Sequence, residues 1–266
     1  MFNFFLKKNF CDVWDNLFYL ILTNIVPLAV IVLSYFAIIP SQKINSFMPY
    51  VVFVLASGSL SWVTFSWGAN ARKIADFNSP SWRLFLSSLK TSFLPGFFFG
   101  ILISVLIVVC SIAIPYYLNY FSKGNIIGLL FVAIIAWFLI IATAALQWFI
   151  PLYYLQEQNN FLKCLKKSFI IFFDNALFSF AMLLHNALLL ALTILTFGLI
   201  PGLNGIVLSS TNALRLRLYK YDWYEENPDL LNDKDARSEV PWDSLIAEDR
   251  EMLGPRKLSS FLFPWK

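Results

Sequence analysis

Long apolar runs alternate with short charged clusters along the first 218 residues of the chain. A window of about 19 residues, the length of helix that crosses a hydrocarbon core, marks spans over 17–39, 48–67, 93–117, 126–153 and 176–199. Pro201-Gly202 then interrupts the pattern, and a shorter apolar segment, 203–214, runs up to Arg215. The expected fold is all-α: a polytopic membrane helical bundle over 1–218, about six spans arranged as three helical hairpins, followed by a mostly irregular cytoplasmic tail over 219–266.

Basic residues set the orientation, because Lys and Arg accumulate in short cytoplasmic loops. With the N-terminus inside and six crossings, Lys7, Lys8, Arg72, Lys73, Arg83, Lys90, Lys163, Lys166, Lys167, Arg215, Arg217 and Lys220 all face the cytoplasm. Only Lys43 and Lys123 face outward. Five crossings would put Arg215, Arg217 and Lys220 on the outside, so six are expected, with both termini cytoplasmic. The sixth is short for a core about 30 Å thick, and it must be tilted, shielded by neighbours or partly re-entrant. Lys7 and Lys8 before an apolar run resemble the start of a secretory signal. That run continues to Pro40 with no small-x-small cleavage site, so a retained first helix is expected.

Composition agrees. The chain is 59% hydrophobic and only 14% charged, against the roughly one quarter charged that a water-facing surface needs. Cys11, Cys110 and Cys164 form no C-x-x-C pair and read as reduced, structural thiols.

An internal repeat underlies the pattern. LKKNFCDVWDNLF (Leu6 to Phe18) recurs as LKKSFIIFFDNAL (Leu165 to Leu177), and a weaker third copy, LKTSFLPGFFFG, covers Leu89 to Gly100. Each copy precedes an odd-numbered span, as an amphipathic segment lying at the cytoplasmic interface would. Lys7, Lys8, Lys166 and Lys167 are expected to meet anionic headgroups. Asp15 and Asp174, with Asn16 and Asn175, are expected to cap the spans that follow, or else to form a substrate or partner contact.

The T-N-x-x-P-type residues of the first span (Leu22 to Pro27), the W-R-L-F-L of Trp82 to Leu86 and the following L-K-x-x-F (Leu89 to Phe93) resemble the YesL-like family of bacterial membrane proteins, over roughly residues 10–218. The resemblance implies a multi-pass protein of the bacterial plasma membrane with an accessory role beside carbohydrate uptake systems. It transfers no catalytic residues.

Chemistry is sparse. No acidic residue lies within a span, and the intramembrane polar residues are few: Asn24, the serines around Ser59, Thr143, Gln147, His185 and Asn186. Asn24, Gln147 and His185 read as inter-helix hydrogen-bonding groups, and Ser57-Gly58-Ser59-Leu60-Ser61 as a close-packing face. A path lined by Asn24, Ser59, Gln147, His185 and Asn186 is the alternative, in a small transporter or channel. No H-E-x-x-H, G-x-S-x-G or G-K-S/T phosphate loop is present, and the chain has one histidine, so no enzyme, metal site or cofactor is expected. The tail carries eleven acids against nine Lys or Arg from Arg215 onward, and its acidity argues against nucleic acid as a partner. Membrane lipids and a transporter component or another membrane protein are the expected partners. Residues 225–240 read as a linker, 242–253 as a short helix, and Phe261, Phe263 and Trp265 as an aromatic contact for the membrane, a partner or the protein's own cytoplasmic face.

Overall fold

The computed structural model describes residues 1–228 and 240–256, and every regular element among them is helical. In chain order these are α1 (Phe2–Asp15), α2 (Leu17–Ser41), α3 (Met48–Ala75), α4 (Trp82–Thr91), α5 (Phe93–Ser122), α6 (Ile127–Leu146), α7 (Phe149–Leu155), α8 (Phe161–Asp174), α9 (Ala176–Leu195), α10 (Gly202–Glu226), α11 (Trp242–Leu245) and α12 (Ala247–Leu253). Among the described residues, five helical stretches are long and apolar enough to cross a membrane: α2, α3, α5, α6 with α7 taken together, and α9. Their outward faces are apolar, with Leu33, Tyr116, Trp137 and Leu195 all exposed. For a water-soluble surface such patches would be far too large, whereas lipid solvates them.

Short helices precede three of the long ones. α1 leads into α2, α4 into α5 and α8 into α9, each pair separated by one non-helical residue: Asn16, Ser92 and Asn175. Both asparagines end their helix in the same way. The Nδ2 of Asn16 donates to the Asp12 carbonyl at 2.9 Å, and that of Asn175 to the Ile171 carbonyl at 3.2 Å, each adding a second bond to a carbonyl that the same residue's backbone N–H already reaches. The weak copy over Leu89 to Gly100 lies differently. Its L-K-x-S-F motif would align Ser92 with Ser168, inside α8, but Ser92 occupies the junction that Asn175 occupies in the Leu165 to Leu177 copy.

α3 and α10 form the centre. α3 packs against α2, α5 and α10, and α10 also meets α1, α7 and α9. The α3–α5 contact is close because Gly100 sits against α3. A Cβ there would lie 2.3 Å from the Ser57 carbonyl oxygen and 2.7 Å from Gly58 Cα. Small residues on facing helices let backbones approach to this range, and the Ser57–Ser61 stretch supplies the matching surface. Half-buried Trp62 and buried Trp67 and Trp148 tie the layers with their indole N–H groups: Trp62 to the Leu89 carbonyl, Trp67 to the Asn204 carbonyl at 3.0 Å, and Trp148 to Ser179 Oγ at 3.1 Å.

α10 differs from the other long helices. From Asn204 to Leu214 nearly every residue is buried, polar Asn204, Ser209, Ser210, Thr211 and Asn212 included, so its surroundings are protein rather than lipid. It also runs on as one helix past Arg215 to Glu226, into the stretch expected as tail. The segment 242–253 is two short helices rather than one, with Ile246 between them. Ile246 and Leu253 are buried in the same core cluster as Phe4, Phe5, Cys11 and Leu214, so this part of the tail packs back onto α1 and α10. Phe261, Phe263 and Trp265, like most of the expected linker, lie outside the described residues.

Candidate functional site

The intramembrane polar residues fall into separate places. Asn24 on α2 clamps the turn between α9 and α10: its Nδ2 donates to the Leu199 carbonyl at 2.9 Å and the Pro201 carbonyl at 2.8 Å, while its Oδ1 accepts from the Asn204 N–H at 3.1 Å. Gly202 makes room for it. Its φ of +71° is available to glycine, and a Cβ there would lie 2.0 Å from Asn24 Nδ2. Ser59 bonds only back to the Leu55 carbonyl of its own helix. His185 stands edge-on to the Phe5 ring at 5.3 Å, with Nε2 buried and without a hydrogen-bond partner, so the expected inter-helix bond at that atom is not formed.

Gln147 and Asn186 are brought together. Gln147 lies at the break between α6 and α7, donates to the Ala144 and Ser179 carbonyls at 2.8 and 2.9 Å, and accepts from Asn186 Nδ2 at 3.1 Å. Asn186 also donates to Ser210 Oγ of α10 at 3.0 Å. Both line a 580 Å³ cavity between α5, α6, α9 and α10 whose other walls are almost wholly apolar.

A second cluster, missed by the sequence reading, joins α1, α3, α10 and α12. Lys8 is fully buried and ion-paired to Asp12 at 2.8 Å, with its ammonium 3.8 Å from the centre of the Phe77 ring. Asp12 also accepts from Asn212 Nδ2 at 2.8 Å. Burial holds Lys8 below the ordinary ammonium range and lifts Asp12 above the ordinary carboxylate range, each partly offset by the other. Beside them Arg215 holds both oxygens of Asp249 on α12, at 2.6 and 3.2 Å, and Asp76 after α3 at 2.7 Å. Burial opposes the Arg215 charge, but its carboxylate partners more than offset it and leave the guanidinium above its usual pKa.

The repeat residues divide likewise. Lys7 and Lys166 are exposed, as headgroup contact requires. Their neighbours Lys8 and Lys167 turn inward, Lys167 donating to Gln156 Oε1 at 2.7 Å and Asn159 Oδ1 at 3.3 Å. Neither α2 nor α9 receives a side-chain cap at its start. The expectation of capping aspartates gives way to ion pairs: Asp15 binds Arg256, and Asp174 accepts from Tyr221 Oη at 2.6 Å and Lys220 Nζ at 3.0 Å. Burial raises the Asp174 pKa, but the Tyr221 and Lys220 bonds outweigh it and hold the carboxyl below its usual range. Asn175 joins this cluster through Tyr221 Oη at 2.6 Å. The ties of Asp174 and Asn175 join the repeat to α10, and that of Asp15 joins it to the segment after α12, roles the sequence reading did not assign because α10 was expected to end at the membrane surface.

Length, apolar exterior and buried polar ties together define a helical, multi-spanning membrane protein. Compared with protein-family models, curated proteins and solved structures, the chain finds no match.

Proposed function

We propose that the chain crosses the bacterial plasma membrane six times as three hairpins, with both termini in the cytoplasm. In this reading it acts as a non-enzymatic accessory or scaffolding component of a transport system, and the YesL-like resemblance names carbohydrate uptake as the class. The observation that carries the reading is the dispersal of the intramembrane polar groups. Asn24 is consumed by a turn, Ser59 by its own helix and His185 by an aromatic contact, while Thr143, Gln147 and Asn186 line one cavity. A conducting path needs such groups in sequence along one route, so this arrangement favours a fixed bundle over the channel alternative. Burial of α10 among its neighbours supports a sixth crossing despite its polar sequence, since lipid need not solvate it. The basic cluster of Arg215, Arg217 and Lys220 then lies with those of α1, α4 and α8 on one side.

Purification from native membranes in mild detergent, with co-purifying proteins identified by mass spectrometry, tests this. Full-length protein should recover a membrane component of a transport system. A chain ending at Asn227, or one carrying Met252→Glu on the exposed face of α12, should recover less of it. Recovery of no transport component, together with solute movement by the purified protein alone in proteoliposomes, would contradict the proposal.

A further inference from the structure

Both strong copies of the repeat end in a pocket, at the junction between the short helix and the span that follows. The pocket at the α1–α2 junction, 380 Å³, is lined by residues 14–19, and its Asp15 is already paired with Arg256. The pocket at the α8–α9 junction, 420 Å³, is lined by residues 174–178 with Phe2 and Ala181, and α10 adds Arg217 to its wall. That arginine separates the two.

Arg215, Arg250 and Arg256 each hold a carboxylate, whereas Arg217 makes no hydrogen bond or ion pair with any described residue. Its guanidinium is positioned by rings instead, 4.1 Å from the centre of Phe178 and 5.2 Å from that of Trp242. Of its three nitrogens only Nε is enclosed without a partner; Nη1 and Nη2 keep accessible surface. Asp174 on the same wall does not answer the charge, because it is taken up by Lys220 Nζ at 3.0 Å and Tyr221 Oη at 2.6 Å. With Asp174 and Lys220 cancelling, the pocket carries one positive charge in excess. Burial pulls the Arg217 pKa below its usual range, and Tyr221, Asp174 and Tyr224 offset this only in part, so a bound anion would relieve the site.

The pocket opens where a span begins. Leu177 at its edge is 86% exposed, and Ala181, Leu184 and Leu188 continue the same face of α9 at helical spacing, the two leucines also exposed. A free cation thus heads an apolar stripe that faces lipid.

We propose that the α8–α9 pocket binds an anionic glycerophospholipid, with Arg217 Nη1 and Nη2 donating to its phosphodiester and one acyl chain lying along Leu177, Ala181, Leu184 and Leu188. The planar guanidinium fork matches two phosphate oxygens. A choline headgroup brings its own cation to a site already positive, and a free phosphate leaves the stripe uncovered. The inference stands apart from the accessory role, and either can fail without the other.

Native mass spectrometry of the full-length protein in mild detergent tests it, by titration with phosphatidylglycerol and with phosphatidylcholine of the same chains. The first phosphatidylglycerol should bind about tenfold tighter than the first phosphatidylcholine, the difference one charge-assisted hydrogen bond makes. Millimolar glycerol phosphate should not displace it. Arg217→Gln should bring the ratio of the two lipids to about one, whereas Arg83→Gln, an equal loss of charge on the exposed face of α4, should leave it unchanged. Leu177→Glu sets a carboxylate at the pocket mouth on a side chain too exposed to govern folding, and it should abolish the preference too, so the test survives if Arg217→Gln does not fold. Equal affinity for the two lipids, displacement by glycerol phosphate, or an unchanged ratio in whichever of Arg217→Gln and Leu177→Glu folds would overturn the proposal.

Discussion

Asn24 makes three hydrogen bonds to a turn 175 or more positions away in the chain, and each replaces a bond that lipid cannot supply. Substitution by alanine strands the Leu199 carbonyl and the Asn204 N–H, and leaves the Pro201 carbonyl with the Gly205 N–H alone. At about 0.6–2 kcal/mol per bond in membrane proteins, Asn24→Ala should cost about 2–6 kcal/mol, read as a fall in the unfolding midpoint in detergent. Lys8 and Asp12 give a different pattern. Asp12→Ala leaves a fully buried ammonium without its counter-ion and should cost about 3–5 kcal/mol, whereas the double change Lys8→Met with Asp12→Leu should be close to neutral. A double-mutant cycle by denaturant titration checks both; a loss for the double change equal to the sum of the two single losses would show that the pair is not coupled. The role of Asn24 was legible in its residue type, because an amide within a span must find a partner. Lys8 was not: a lysine beside another lysine reads as headgroup contact, and only the tertiary placement of Asp12, Asn212 and Phe77 around it reveals a buried ion.

At the scale of elements, the α3–α5 contact depends on Gly100, whose added methyl would strike the Ser57 carbonyl. Gly100→Ala should force the two helices apart and cost about 1–3 kcal/mol, with Gly100→Leu worse; a thermal stability series in detergent orders the three proteins. The serine face of α3 was readable as a packing surface, but its partner on α5 was not singled out, since Gly96 and Gly100 lay inside a copy of the repeat. The repeat itself was readable as short helices before α2, α5 and α9. Its register in the middle copy was misplaced because motif similarity over a few residues does not locate a helix junction, and Ser92 stands where asparagines stand in the other two copies.

For the whole molecule, the described part of the tail belongs to the bundle. Asp249 binds Arg215 through both oxygens, and Ile246 and Leu253 enter the core beside Phe4 and Phe5. Asp249→Asn weakens the ionic tie while keeping the side chain's shape, and should raise the rate of protease cleavage after Arg250 without altering the bundle's midpoint; an unchanged cleavage rate would mean the ion pair does not hold α12. The extent of α10 was obscured in the sequence by the charges at Arg215, Arg217 and Lys220, which read as the end of the sixth segment, whereas the helix runs on to Glu226.

Six crossings with both ends on one side is the claim on which the rest depends, and labelling of single cysteines tests it most directly. In a background with Cys11, Cys110 and Cys164 replaced by alanine, a membrane-impermeant maleimide applied to intact cells should modify Ile44→Cys, Ile126→Cys and Phe197→Cys. It should leave Ser79→Cys, Glu157→Cys and Glu248→Cys unmodified until the membrane is opened. Modification of Glu248→Cys in intact cells, with Glu157→Cys still protected, would show that α10 does not cross and would contradict the account.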